Sequence, residues 1–385
     1  MKELFYFGNV RFKIILVALL VKIIYYLFAI LVSNYSSKFP SIALYTFKND
    51  SVPGLLKIFK IHDAGWYELI AVNGHHKIST SDLKPSEANK WQQSYYAFFP
   101  LYPLITGTSL QITNWHYFTV AFFWSLIFSI TCFLVFFEFA KIYFGDEYVA
   151  FYSTLCLIVF PFNFYFSMFM TEALFVLLLL LAFLSIKKGN WIVFSISGSL
   201  LALTRPNGIY MVIPLIIYFF ESNEWKISKK KLVFVTLALL VIASTFAAYC
   251  IYLQHMTGDY FAFATAQKGW NKKFSIIPFT TLFSSGEWRQ QVLSIYTVLF
   301  MFFAAISVKR FPFSFHVLIW ICLLLPLMAG SVQSMPRYIS AIFPFSLLLG
   351  KYISNYRLRN IVVLILLAGQ LWSFYFWITE DPLAY

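Results

Sequence analysis

The sequence predicts an all-α bundle of membrane-spanning helices. Three features carry that expectation: the apolar composition, the long uninterrupted apolar runs, and the short basic clusters between them. Of 385 residues, 60% are hydrophobic and only 12% are charged, and the mean hydropathy is +0.73. A soluble domain is about half apolar and about a quarter charged, so a soluble fold of this length could not hide these side chains from water. Lipid must serve as the solvent, and a segment in lipid has to satisfy its own backbone hydrogen bonds, as a helix does. The 46 Phe, 25 Tyr and 11 Trp residues suit bilayer interfaces and packed helix bundles. No polar linker or internal repeat separates the apolar runs, so residues 1–385 are expected to form one domain.

At about 20 apolar residues per crossing, eleven crossings are expected, at 12–33, 116–142, 149–168, 170–186, 191–204, 208–220, 232–254, 291–308, 313–330, 338–353 and 360–378. The first run follows Lys2, Arg11 and Lys13. It is longer than a secretory apolar region and has no small-residue cleavage site, so it is expected to remain as a span. Ala97–Ile112 is short, and Pro100 and Pro103 interrupt its start. The formal charge of +13 arbitrates its role. If it crosses, the loops carrying Lys187-Lys188 and Lys226 to Lys231 fall outside. If it dips and returns, these clusters, Lys309-Arg310 and Arg357 with Arg359 all fall inside, as the positive-inside rule requires. The expected topology has a cytoplasmic N-terminus, an external C-terminus and a long first extracytoplasmic loop over 34–114 with re-entrant or juxtamembrane helices. Such a protein belongs in the plasma membrane of a bacterium or the endoplasmic reticulum of a eukaryote. Basic residues dispersed in this way anchor loops and do not make a nucleic-acid surface. Cys132, Cys156, Cys250 and Cys322 lie inside apolar runs without paired spacing and are expected to be core side chains.

Residues capable of chemistry gather in the stretches expected outside. His62-Asp63-Ala64-Gly65-Trp66-Tyr67 puts an imidazole, a carboxylate and two aromatic rings in the loop beyond the first span. Asp63 can serve as a general base toward an acceptor hydroxyl, and His62 is the rival for that role. The structural alternative is a helix N-cap with interfacial aromatic anchors. Glu172 and Arg205 each sit at the outer end of an apolar run, where an unpaired buried charge costs several kcal/mol (about 2.5–3.5 on insertion scales). They either line a cavity or pair with each other. Arg337, followed by Tyr338, is a second guanidinium on the same side, and two arginines suit a phosphate through their planar forks. His75-His76 lacks the carboxylate or thiolate support that a metal site needs, and no metal is expected. No nucleotide-binding signature occurs.

These same segments resemble the PIG-V-type mannosyltransferase family. The stretch from His62 to His75 resembles its W-D-x-x-W-Y-x-x-I-A-x-x-G-Y motif, with His62 where the family usually has Trp and His75 where it often has Tyr. Ala97-Phe98-Phe99-Pro100-Leu101-Tyr102-Pro103, Thr171-Glu172-Ala173-Leu174-Phe175, Leu203-Thr204-Arg205-Pro206-Asn207-Gly208 and Pro336-Arg337-Tyr338 resemble further family motifs in family order. The resemblance implies a GT-C-like helical bundle. It also implies transfer of a sugar, typically mannose, from a polyprenyl- or dolichyl-phosphate donor to a glycan or glycolipid acceptor, with inversion and without a cofactor. On that basis Asp63, with His62, is expected at the catalytic position. Arg205, Arg337 and Tyr338 are expected at the donor phosphate, and Trp66, Tyr67, Tyr102, Glu172 and Asn207 around the substrates. Membrane lipids are the other expected partner. The competing class is a lipid or solute transporter or flippase, which favours inverted repeats and mid-span charges. Here the polar residues gather on one face.

Overall fold

The computed structural model describes residues 9–35, 58–83, 92–270, 272, 274–283 and 286–384. Among them every regular element is helical. In chain order these are α1 (Val10–Tyr35), α2 (Ala64–Asn73), α3 (Leu101–Thr113), α4 (Tyr117–Phe144), α5 (Glu147–Val159), α6 (Glu172–Lys188), α7 (Trp191–Ala202), α8 (Val212–Ser222), α9 (Lys229–Thr257), α10 (Ala262–Thr265), α11 (Trp288–Ile306), α12 (Phe313–Met328), α13 (Met335–Ser340), α14 (Phe343–Ser354) and α15 (Arg359–Ile378). Among the described residues five helices, α1, α4, α9, α11 and α15, are long and apolar enough to cross a bilayer, while α5, α7, α8 and α12 are shorter apolar helices.

Local chemistry sets the boundaries. Asp146 caps α5 by accepting from the Tyr148 and Val149 amides, and Asn190 caps α7 by accepting from Val193, which satisfies N–H groups that have no partner within the helix. Two expected crossings are broken by their own sequence. The run 149–168 is α-helical only as far as Val159. The chain turns at Phe160-Pro161, and a 3₁₀ turn follows at Asn163–Ser167, because the proline ring disfavours helical backbone at Phe160 before it, which is extended here. The run 338–353 divides into α13 and α14, with Pro344 in the first turn of the second. Ala97–Ile112 becomes helical only at Leu101, as α3. It packs on α2 and lies back along α4: Trp124 Nε1 donates to Ser109 Oγ at 2.9 Å, and the Tyr102 and Phe128 rings lie 6.4 Å apart. The expected loop at 34–114 thus contains α2 and α3, while residues 36–57 and 84–91 lie outside the described ones.

Helix α6 is buried nearly all round, as a uniformly apolar helix at the centre of a bundle must be. It packs against α4, α7 and α8. Phe139, Phe183, Phe315 and Phe343 interlock on four elements, with edge-to-face contacts at 5.6–5.9 Å for Phe139–Phe343, Phe183–Phe315, Phe183–Phe343 and Phe315–Phe343. Aromatic rings favour that arrangement, and the phenylalanine-rich composition fills the space between helices here. Charge follows the helix ends. Glu172 begins α6 and Lys187-Lys188 ends it, a separation of about 25 Å at the helical rise.

Candidate active site

Turns between helices bring the polar residues together at one end of the bundle. Asp63 is the residue before α2, and its neighbour His62 has φ +57°. Non-glycine residues seldom adopt that left-handed conformation, histidine more readily than most. Glu172 is the first residue of α6, where the helix dipole favours a carboxylate. Arg205 lies in the turn after α7, closed by the Gly208 amide donating to the Arg205 carbonyl at 2.9 Å. Gly208 is needed there, since a Cβ would lie 2.1 Å from the Leu201 carbonyl oxygen. Arg337 is carried by α13, entered through Ser334 at φ +70°.

These four side chains form one ionic chain. Arg337 Nη1 donates to Asp63 Oδ2, and Arg337 Nε donates to Glu172 Oε1. The same Glu172 oxygen stands 3.2 Å from Arg205 Nη1. Arg205 lies over the Tyr338 ring at 4.9 Å, and Arg337 over the Tyr165 ring at 5.9 Å. Two carboxylates and two guanidiniums balance in a site where an unmatched ion would cost several kcal/mol. The carboxylates differ in access. The Glu172 side chain is 0% exposed, whereas that of Asp63 is 31% exposed, so only Asp63 is open to an incoming molecule. Burial raises the Asp63 pKa, but Arg337, by charge and by hydrogen bond, together with Lys272 and His62, holds the carboxyl below its ordinary value. Burial pushes His62 down to about 4, so its ring is neutral at neutral pH. Its ring meets Trp377 edge to face at 5.0 Å.

The cavity over this chain holds about 350 Å³ and is lined by His62, Asp63, Trp66, Tyr67, Arg205, Arg337 and Tyr338, among others. Trp66 stacks on Phe98 at 5.9 Å, and Trp270 abuts both rings edge to face at 5.8 and 5.6 Å. An aromatic wall therefore faces an ionic floor. Tyr102, Glu172 and Asn207, expected around the substrates, lie behind this surface. Tyr102 packs edge to face on Tyr67 at 5.4 Å. Glu172 holds the two arginines. Asn207 is buried, and its Oδ1 has no hydrogen-bond partner among the described residues. Lys272, Trp270, Gln267 and Trp377 also line the cavity and were not among the expected site residues. The signal for the first three was present in Gln267-Lys268-Gly269-Trp270 and Lys272, an aromatic–basic cluster in a stretch already expected outside. Among the described residues no three His, Cys, Asp or Glu side chains converge as metal ligands.

The described helices thus carry an ionic, aromatic-walled cavity at one end of a membrane-type bundle, and comparison with known families bears on its class. Residues 99–249, less than half of the chain, match the family model described as dolichyl-phosphate-mannose-protein mannosyltransferase. A search of curated proteins finds no match. The family match supports a membrane glycosyltransferase of the GT-C type, which uses a polyprenyl-phosphate sugar donor. The matched stretch includes Glu172 and Arg205, begins after Asp63, and ends before Lys272 and Arg337.

Proposed function

We propose that this protein transfers mannose from a polyprenyl- or dolichyl-phosphate carrier to a hydroxyl of a lipid-linked or glycan acceptor. Transfer would occur on the extracytoplasmic face, in the manner of the PIG-V-type enzymes its motifs resemble. One observation carries this proposal: Asp63, Glu172, Arg205 and Arg337, from four separate motifs, join in one ionic chain beneath an aromatic-walled cavity. In the reaction the acceptor oxygen bonds to the anomeric carbon from one face. The bond from that carbon to the phosphate oxygen breaks on the other, with inversion. Its electron pair leaves with the lipid phosphate, and the acceptor proton passes to Asp63. Arg205 and Arg337 stabilise the negative charge that grows on the phosphate, the electrostatic contribution that often dominates catalysis. Trp66 and Tyr67 offer ring faces to the sugar. Asp63 held by Arg337 is a weak base, but an arriving phosphate competes for that guanidinium. As Arg337 turns to the phosphate, the Asp63 carboxylate loses its depressing partner and gains basicity at the moment the donor is in place.

The test is Asp63→Asn, assayed in purified protein with lipid-phosphate mannose as donor. Removal of a positioned base lowers the rate about 10²–10⁴-fold, so transfer should nearly vanish while the protein still purifies as a folded species. Retention of more than about a tenth of the activity would remove Asp63 from the role of base. Loss confined to His62→Trp would move that role to His62. The transporter alternative predicts no sugar transfer by the wild-type protein.

A further inference from the structure

The two arginines beneath the cavity are already engaged. Arg205 faces Glu172, and Arg337 is bracketed by Glu172 and Asp63. A third cation, Lys272, lies on the cavity wall beside Asp63, Arg337 and Tyr338. Among the described residues it makes no ion pair and no hydrogen bond. With His62 neutral, the lysine leaves the lining with a positive charge in excess, the condition for attracting an anion.

The chain on either side of Lys272 says where such an anion comes from. On the cavity side, Trp270 is held against Trp66 and Phe98. On the other side, the Ser275 amide donates to the Met328 carbonyl at 2.8 Å, which fixes the strand of chain to the end of α12. Between and beyond these anchors, Phe274, Ile276, Ile277 and Phe279 are 73%, 81%, 60% and 56% exposed. Four large apolar side chains bared within six residues make this segment suited to lipid. A lysine between such an apolar segment and a polar cavity suits the phosphate that a lipid carries at its headgroup.

We infer that Lys272 is the cation that receives the phosphate of a lipid-phosphate donor, at the point where the cavity opens toward the bilayer through the apolar segment 274–279. This assignment rests on the proposed donor class and adds a phosphate-binding residue to it. An ammonium on a flexible stem is a mobile point charge. It can engage the phosphate before Arg337 gives up its carboxylates, so Lys272 governs capture while the arginines act on the leaving group.

The probes are a polyprenyl phosphate and the uncharged polyprenol of the same chain length, bound to detergent-solubilised wild type, Lys272→Gln and Lys272→Arg. A hydrogen bond to a charged group contributes about 1.5–3 kcal/mol, or about tenfold and more in affinity. Lys272→Gln should therefore weaken polyprenyl phosphate binding by at least about tenfold and leave polyprenol binding unchanged. Lys272→Arg should restore most of the loss. In turnover, Lys272→Gln should raise KM for the donor with kcat nearly unchanged, since uniform binding is lost. If wild type prefers the phosphate and Lys272→Gln keeps that preference in full, Lys272 is not the receiving cation and the proposed function stands. If wild type binds phosphate and alcohol alike, the donor class and the Lys272 assignment fall together.

Discussion

Glu172 accepts from Arg337 and forms an ion pair with Arg205 through the same oxygen, while its Oε2 is buried without a hydrogen-bond partner among the described residues. An enclosed carboxylate of this kind holds its cations in place, whereas the partly exposed Asp63 faces the cavity. His62, the residue before Asp63, combines a left-handed backbone, costing about 1–3 kcal/mol, with a ring that burial keeps neutral. Its folded pKa of about 4 lies below the ordinary 6.5, so the unfolded chain binds the proton more readily. The stability it contributes is complete above pH 6.5 and is lost as pH falls from 6.5 toward 4, with an upper bound of about 3 kcal/mol at 1.36 kcal/mol per unit. His62→Asn tolerates the same backbone region and does not titrate. Thermal unfolding of wild type should therefore shift downward more than that of His62→Asn over this interval. Parallel curves would show that the imidazole does not differ between the folded and unfolded states.

Among the elements, α5 and α14 make a contact that leaves no room for an added side chain at Gly350. A Cβ on Gly350 would lie 2.2 Å from Ser153 Cα, a backbone atom that cannot rotate away. Gly350→Ala must therefore separate two helices, and overpacking of this kind costs about 1–3 kcal/mol. The control is Gly369→Ala in α15, whose added Cβ would meet Pro161 Cγ at 3.5 Å, an ordinary contact. In detergent the first variant should unfold at a clearly lower temperature and the second within about 0.5 kcal/mol of wild type. Equal behaviour would mean that α5 and α14 separate freely. Because α14 follows directly on α13, which carries Arg337, movement at Gly350 should also lower activity per folded molecule.

Across the whole molecule, the cavity and the short basic clusters occupy opposite ends of the helices that connect them. Arg11 at the start of α1 pairs with Glu138 near the end of α4 at 2.8 Å, which places the start of α1 away from the cavity end. α3 leads from Phe98 on the cavity wall to the exposed turn at Thr113-Asn114, and α4 brings the chain back. The positive-inside rule assigns the clustered end to the cytoplasm. A cysteine at Thr113 should then react with a membrane-impermeant thiol reagent in intact cells, while one at Ser228, between α8 and α9, should react only after permeabilisation. The native background is low because Cys132, Cys156, Cys250 and Cys322 are all buried. The reverse pattern at either position would invert the assignment.

Composition and apolar runs were enough to determine a helical membrane protein, because the preference of a side chain for lipid and the need of a backbone to bond within its own segment are local properties. Asp63, Glu172, Arg205 and Arg337 were legible one at a time for the same reason, as polar groups out of place beside apolar runs. Where the runs break was less legible. A window of about 20 residues averages across Pro161 and the Ala341-Ile342 junction, and so merges what the backbone must divide. Only the tertiary structure decided which charges meet. Arg337 reaches Asp63 across 274 positions and Glu172 across 165, and no periodicity spans such distances. Lys272 belongs to the same category. In sequence it is one lysine among many in a polar loop, and it becomes a cation on the cavity wall, without an ion pair among the described residues, only because the packing of Trp270 and the Ser275–Met328 hydrogen bond hold it there.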